Sequence, residues 1–212
     1  MDIKQTGYVM LVGDPGVGKT AVTRALDVVS RGETPNSDLL AMVRRTNTLE
    51  YEYLTTSQKL GGADYAVTIQ FLVPPGRREG IPEAPGRSFQ EVIDIFKPTL
   101  HSLDVVVFTY DLTRIQSLQD LASWMPELDD LVVDTTHFIL LGTHLDQADL
   151  VEVSDQEIVK SLGNLASQMR SMRPTWKGNF AHLEVSNLTG ENLQTLIFYL
   201  AGSVVSARQI QS

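Results

Sequence analysis

The chain has 212 residues, 42% apolar and 20% charged, enough for one ordinary domain with a sizeable core over residues 1–212. Its formal net charge of −9 opposes binding to a nucleic-acid backbone as a main task. With no cysteine, disulfides and thiolate metal sites are excluded, and no apolar run approaches the roughly 20 residues of a membrane helix. The first residues enter a strand without a signal-peptide pattern, Asp2 opposes myristoylation, and the last residues hold no cysteine to prenylate. A cytoplasmic protein with no direct membrane anchor is expected.

Strand-like and helix-like stretches alternate, as in an α/β fold with a mainly parallel sheet. Residues 8–12 form a short buried strand, and Val22, Ala25, Leu26 and Val29 recur at helical spacing after a glycine-rich loop. Residues 51–60 and 65–73 are extended runs joined by Gly61-Gly62-Ala63-Asp64, a hairpin that supplies one antiparallel edge strand. Phe89, Ile93, Phe96 and Leu100 mark a second helix, followed by a strand over 105–110. Leu118, Leu121, Ala122 and Met125 begin a third helix, kinked or ended by Pro126. A strand over 138–141 precedes the capping box Ser154-Asp155-Gln156-Glu157, which opens a helix through Ile158, Leu162, Leu165 and Met169. A last strand over 181–185 leads to a helix lined by Leu193, Leu196, Ile197, Leu200 and Val204. Two irregular regions remain, 30–50 and 74–88. Long irregular loops in a compact domain are usually functional or disordered.

"GDPGVGKT", Gly13 to Thr20, fits G-x-x-x-x-G-K-[ST] between a predicted strand and a predicted helix. Its glycines let backbone N–H groups face anionic oxygens, and the following helix adds its positive end. Asp14, Gly16, Val17, Gly18, Lys19, Thr20 and Ala21 are the candidate phosphate-binding residues. Lys19 reaches the β- and γ-phosphates, and Thr20 places its hydroxyl on magnesium.

The base is read elsewhere. In Thr143-His144-Leu145-Asp146, the aspartate lies just past a buried strand. Guanine offers two adjacent donors, and one carboxylate accepts both, whereas adenine leaves it unpaired. Such a site discriminates by roughly 10⁴. Ser186-Asn187-Leu188, ending the last strand, offers a backbone N–H to the guanine oxygen.

"GDPGVGKT", "THLD" and "SNLTGEN" fall at the ends of the first, fifth and sixth strands. In that order the chain resembles the Ras-like small GTPases over nearly its whole length. The missing lipidation tail looks more like the prokaryotic MglA-like and Rup-like groups. The resemblance implies a P-loop NTPase three-layer sandwich, with a six-stranded sheet, one antiparallel edge strand and five flanking helices. It also implies GTP and GDP as ligands, magnesium, and two switch loops that signal to a protein effector. A GTPase-activating or exchange partner is implied as well.

Carried over residue by residue, the resemblance puts Thr48 where the first-switch threonine meets magnesium and the γ-phosphate, with Thr46 as the alternative. Arg45 stands at the spacing of a built-in catalytic arginine, an element worth about 10³ to 10⁵ in rate; as an exposed arginine beside Arg44 it would equally bind a partner. Gly76 keeps the glycine whose N–H meets the γ-phosphate. Several positions depart from the pattern. His144 replaces a lysine whose stem covers the base, and Arg31 falls where many members stack an aromatic. The motif D-x-x-G reads Val73-Pro74-Pro75-Gly76, followed by Arg77 where glutamine normally positions the attacking water. Valine cannot accept a hydrogen bond from metal-bound water, and arginine has no acceptor. Glu79 is a candidate replacement carboxylate.

Asp111, ending a buried apolar strand, opens an alternative as the metal-binding acid of a P-loop ATPase, which leaves "THLD" and "SNLTGEN" unexplained. Two functional readings stay open: a slow GTPase switch, and a nucleotide-holding scaffold that does not cycle.

Overall fold

Six strands form one sheet in the order β2-β3-β1-β4-β5-β6, in a computed structural model that describes residues 2–44, 46, 48–76, 87–99 and 102–211. The strands are β1 (Ile3–Val12), β2 (Glu50–Leu60), β3 (Ala63–Val73), β4 (Val105–Asp111), β5 (His137–Thr143) and β6 (Phe180–Glu184). Every neighbouring pair is parallel except β2 and β3. The edge strand is therefore the antiparallel one, as the hairpin signal implied. β4 and β5 are buried at every position, the mark of central parallel strands covered on both faces.

The helices are α1 (Lys19–Ser30), α2 (Ser37–Ala41), α3 (Phe89–Phe96), α4 (Ile115–Gln119), α5 (Asp155–Met172) and α6 (Leu193–Gln211). Two apolar layers sandwich the sheet. On one face Val22 and Leu26 of α1 and Leu196, Leu200 and Val204 of α6 pack on Val9, Ile69 and Val107. On the other, Phe89 and Val92 of α3, Leu118 of α4, and Ile158, Leu165 and Met169 of α5 pack on Met10, Val106 and Leu140. Among the described residues five helices thus flank the sheet, and the short α2 lies in the loop before β2.

Three local outcomes differ from the sequence reading. The hairpin turn is two residues long, Leu60 pairing with Ala63, and not four. Gly61 and Gly62 carry φ of 56° and 87°, the left-handed pair that matches the twist of a hairpin. The irregular region 30–50 contains α2, whose N-terminus is capped by Asn36 Oδ1 accepting from the Leu39 N–H at 3.0 Å. The third helix is short: after Gln119 the chain tightens into 3₁₀ turns over Asp120–Trp124 and Pro126–Leu128. Pro126 has no N–H to continue an α-helical ladder, and the 3₁₀ turns still bury Leu121, Trp124 and Met125. α3 likewise ends in a 3₁₀ turn at Lys97–Thr99, and Leu100 lies outside the described residues.

β1, β3, β4, β5 and β6 end on the same side, and the chain switches from one flank of β1 to the other between β3 and β4. Ligands of open α/β sheets bind in that crevice.

Candidate functional site

A cavity of about 630 Å³ opens at these strand ends, a volume suited to one small-molecule ligand. Its two ends are built by different parts of the chain. One is the loop from β1 into α1, contributing Gly16, Gly18, Lys19, Thr20 and Ala21; the other is formed by His144, Asp146, Asn187 and Leu188 after β5 and β6. Thr46 and Gly76 line it from the loops before β2 and after β3, as do Leu40, Val43 and Arg44 near α2.

Lys19 is buried, and its Nζ donates to the carbonyls of Gly13 at 2.7 Å and Asp14 at 3.0 Å. The ammonium is therefore fixed inside the loop that its own backbone forms. Gly76 lies pressed against the same loop. A Cβ on it would fall 2.5 Å from the Pro15 nitrogen, 2.6 Å from the Asp14 carbonyl carbon and 2.7 Å from Lys19 Nζ. Only glycine fits there without displacing backbone.

Thr20 Oγ1 is 2.7 Å from Thr46 Oγ1 and 3.4 Å from Glu50 Oε2. Of the two candidate switch threonines, the geometry thus brings Thr46 to Thr20. Thr48 is exposed and does not line the cavity. Two residues further along the loop, its side chain comes no nearer because Leu49 turns into the core and β2 starts at Glu50.

At the other end, Thr143 ties the two halves together. Its Oγ1 is 2.8 Å from the Val17 carbonyl and 3.0 Å from the Tyr110 carbonyl. The hydroxyl donates to these acceptors, so it accepts from His144 Nδ1 at 2.9 Å. That nitrogen also lies 3.2 Å from Asp111 Oδ1, which only accepts, so Nδ1 is a donor here. His144 itself has a left-handed backbone, φ 64°.

Asp111 is the hub of this clamp. Thr113 N–H and Oγ1 donate to its Oδ1 at 2.9 and 2.7 Å, and Arg114 Nε to its Oδ2 at 2.8 Å. Burial pushes the carboxyl up, but the hydrogen bonds from His144 and Thr113 outweigh it and hold it well below the usual carboxylate range. Among the described residues, Asp111 does not line the cavity. Its oxygens serve side chains and backbone, so the ATPase alternative loses its metal-binding acid.

Asp146 Oδ1 accepts from the Ser186 hydroxyl at 2.6 Å. Ser186 Oγ in turn accepts from the Leu188 and Thr189 N–H groups at 3.2 and 3.0 Å, and the Ser186 N–H donates to the Glu191 carbonyl at 3.2 Å. Among the described residues this leaves the Asn187 amide as the uncommitted donor of the Ser186-Asn187-Leu188 segment. Asn187 is buried, and its Oδ1 has no hydrogen-bond partner among those residues.

The remaining candidates lie elsewhere. Arg31 pairs with Asp27 at 3.0 Å and Glu33 at 3.9 Å, outside the cavity lining. Arg45, Arg77 and Glu79 lie outside the described residues. Val73 is fully buried, and Pro74 and Pro75 beside it are buried, with Pro75 lining the cavity. The sequence reading passed over Glu50; the signal that reaches it is the hairpin register, which sets Glu50 directly opposite Val73.

A family model described as Ras family matches residues 89–206, more than half of the chain. The match contains the Thr143–Asp146 and Ser186–Leu188 segments and starts after the phosphate loop and the hairpin. A search of curated proteins returns no match. Among the described residues, no helix is long and apolar enough to cross a membrane. Proteins of the matched family bind guanine nucleotides as small switches, typically with magnesium, and generally hydrolyse GTP. The sheet order, the fixed lysine loop and the matched segments agree: the chain belongs to the Ras family.

Proposed function

We propose that residues 1–212 act as one cytoplasmic G domain that binds GTP and GDP with magnesium and hydrolyses GTP slowly. It signals to a protein effector through the loops 30–50 and 74–88. The observation that carries this reading is the two-ended cavity, with Lys19 and Thr20 at one end and the Asp146–Ser186 pair at the other. In this reading Lys19 and the loop amides of residues 14–19 hold the phosphates. Asp146 accepts both guanine donors, and the Asn187 amide donates to the guanine oxygen. Gly76 meets the γ-phosphate with its N–H, at the place where it already leans on the phosphate loop.

Bound there, magnesium would supply a Lewis acid toward the phosphate oxygens. The residues present suit it: Thr20 and Thr46 bring two hydroxyl oxygens together, the hard oxygen chemistry that this ion prefers. Arg45, at the spacing of a built-in arginine, and Arg77 after Gly76 are the basic residues of this reading that would stabilise charge in the transition state. Neither replaces the glutamine that positions water, so hydrolysis is slow without a partner protein.

The experiment is to denature purified protein and identify the nucleotide released, with and without magnesium. Guanine nucleotides support the reading; adenine nucleotides or none overturn it.

The second reading, a scaffold that holds nucleotide without cycling, is favoured by the buried Val73, Pro74 and Pro75, which stiffen a segment that a switch must move. A switch needs differential contacts to the γ-phosphate. Hydrogen exchange in 30–50 and 74–88 that differs between the GDP form and a non-hydrolysable GTP form supports the switch. Identical exchange supports the scaffold.

A further inference from the structure

Glu50 and Val73 are cross-strand partners in the hairpin, so their side chains share one face of the sheet, the face that α1 covers. Val73 contributes nothing polar there. Glu50 does: its Oε2 lies 3.4 Å from Thr20 Oγ1, which touches Thr46 Oγ1 at 2.7 Å. One carboxylate and two hydroxyls converge at the first turn of α1, next to Lys19; the two threonines line the cavity, and Glu50 stands just behind Thr20, outside the lining. A settled hydroxyl–carboxylate bond is about 2.7 Å long, so Thr20 does not already use up the Glu50 charge.

The next residue of β2 on this face makes the contrast. Glu52 is matched by Arg24 at 2.7 Å, one turn along α1 from Thr20. Among the described residues Glu50 forms no ion pair. An unmatched carboxylate beside a phosphate site is repelled by the phosphates unless a cation lies between them. No group of three or more His, Cys, Asp or Glu among the described residues could hold an ion alone. Magnesium usually keeps several waters and is bound through one or two carboxylates together with substrate phosphates, so a carboxylate behind Thr20 is within reach of such an ion's shell.

We propose that Glu50 is the magnesium-site carboxylate of this protein, supplying from β2 the charge that Val73 cannot supply from β3. The inference rests on the nucleotide reading above and adds to it a positioning residue for the metal. Carboxylate and metal thereby stay linked to Thr20 although the D-x-x-G aspartate is gone.

The test follows release of fluorescently labelled GDP from the full chain, chased with unlabelled GDP, from excess EDTA to saturating magnesium. Manganese bound per nucleotide is read in parallel by electron paramagnetic resonance. Glu50→Gln is expected to raise the magnesium needed for half-maximal retention by about 10- to 100-fold and to weaken manganese binding equally, with release in EDTA unchanged. Glu52→Gln, which removes the same charge from the neighbouring rung, is expected to leave both readouts as in the unmodified protein. An unchanged midpoint in Glu50→Gln, or equal shifts in both variants, overturns the proposal. So does GDP release from the unmodified protein that ignores magnesium, a result that leaves the nucleotide reading standing. Failure to retain GDP in EDTA and magnesium alike overturns both.

Discussion

Thr143 Oγ1 sits 2.8 Å from the Val17 carbonyl, so one hydroxyl joins the end of β5 to the loop between β1 and α1. The contact is fully buried, and removing a buried donor leaves its carbonyl partners unpaired at a cost of about 1–3 kcal/mol. Thr143→Val is expected to lower the melting temperature and to weaken GDP binding about tenfold or more. Thr143→Ser, which keeps the hydroxyl, is expected to restore both. Calorimetric melting and GDP titration check the pair.

Asp146→Asn is expected to weaken GDP and GTP binding and to favour xanthosine nucleotides. Ser186 fixes the orientation: its hydroxyl keeps an acceptor at Oδ1 and turns the new amide nitrogen toward the ligand. That nitrogen donates to the extra xanthine oxygen. Competition binding with GDP and xanthosine diphosphate reads the outcome.

Gly76→Ala is expected to act on the triphosphate form alone. The added methyl meets the Pro15 nitrogen and Asp14 carbon, backbone atoms that cannot rotate away, and so lifts the Gly76 N–H from the phosphate loop. Loss of one hydrogen bond to a charged group, about 1.5–3 kcal/mol, weakens a non-hydrolysable GTP analogue about tenfold or more. GDP affinity is expected to stay. Parallel titrations of the two nucleotides separate these effects.

Val73→Asp has opposite consequences in two backgrounds. In the unmodified chain it sets a second carboxylate directly across from Glu50, and like charges so placed destabilise by roughly 1 kcal/mol or less before burial adds to the cost. Combined with Glu50→Gln it is expected to recover magnesium-dependent GDP retention. Melting curves and magnesium titrations of the single and double variants distinguish the cases.

Asp111 contributes a pH dependence. Its folded-state pKa is depressed, so its stabilisation is fully present above the ordinary aspartate value of about 3.9 and is lost as pH falls through the lower folded value. Asp111→Asn is expected to cost about 1–3 kcal/mol at neutral pH, with the gap to the unmodified protein narrowing toward strong acid. Melting temperatures between neutral and acid pH follow it.

The parts of the fold that were legible were those whose signal is local. The phosphate loop, the all-apolar strands β4 and β5, and the Ser154–Glu157 capping box each carry their cause within a few residues. α2 was missed because its stabilisation is a single Asn36 cap on five residues without a buried face. Pro126 marked a break in the third helix, but the sequence did not show that the tightening starts already after Gln119, in the turn that sets Trp124 edge-on against Phe89, 5.3 Å between centroids. The site divided in the same way. Lys19, Thr20 and Asp146 stand in motifs of fixed spacing, whereas the choice between Thr46 and Thr48 depends on the path of a loop. Glu50 was invisible because a four-residue turn pairs Val73 with Glu52, and only the two-residue turn pairs it with Glu50.

That turn acts as a ruler. It sits at the far end of an 11-residue strand, roughly 35 Å from Glu50, and touches nothing in the cavity. Yet a one-residue slip in pairing turns every side chain of a strand to the opposite face. An insertion between Gly61 and Gly62 would carry Glu50 away from α1 and swing Tyr51 toward Thr20, with each residue of the cavity left chemically intact. On the proposed role of Glu50, the protein's use of magnesium is written partly in the length of a distant loop.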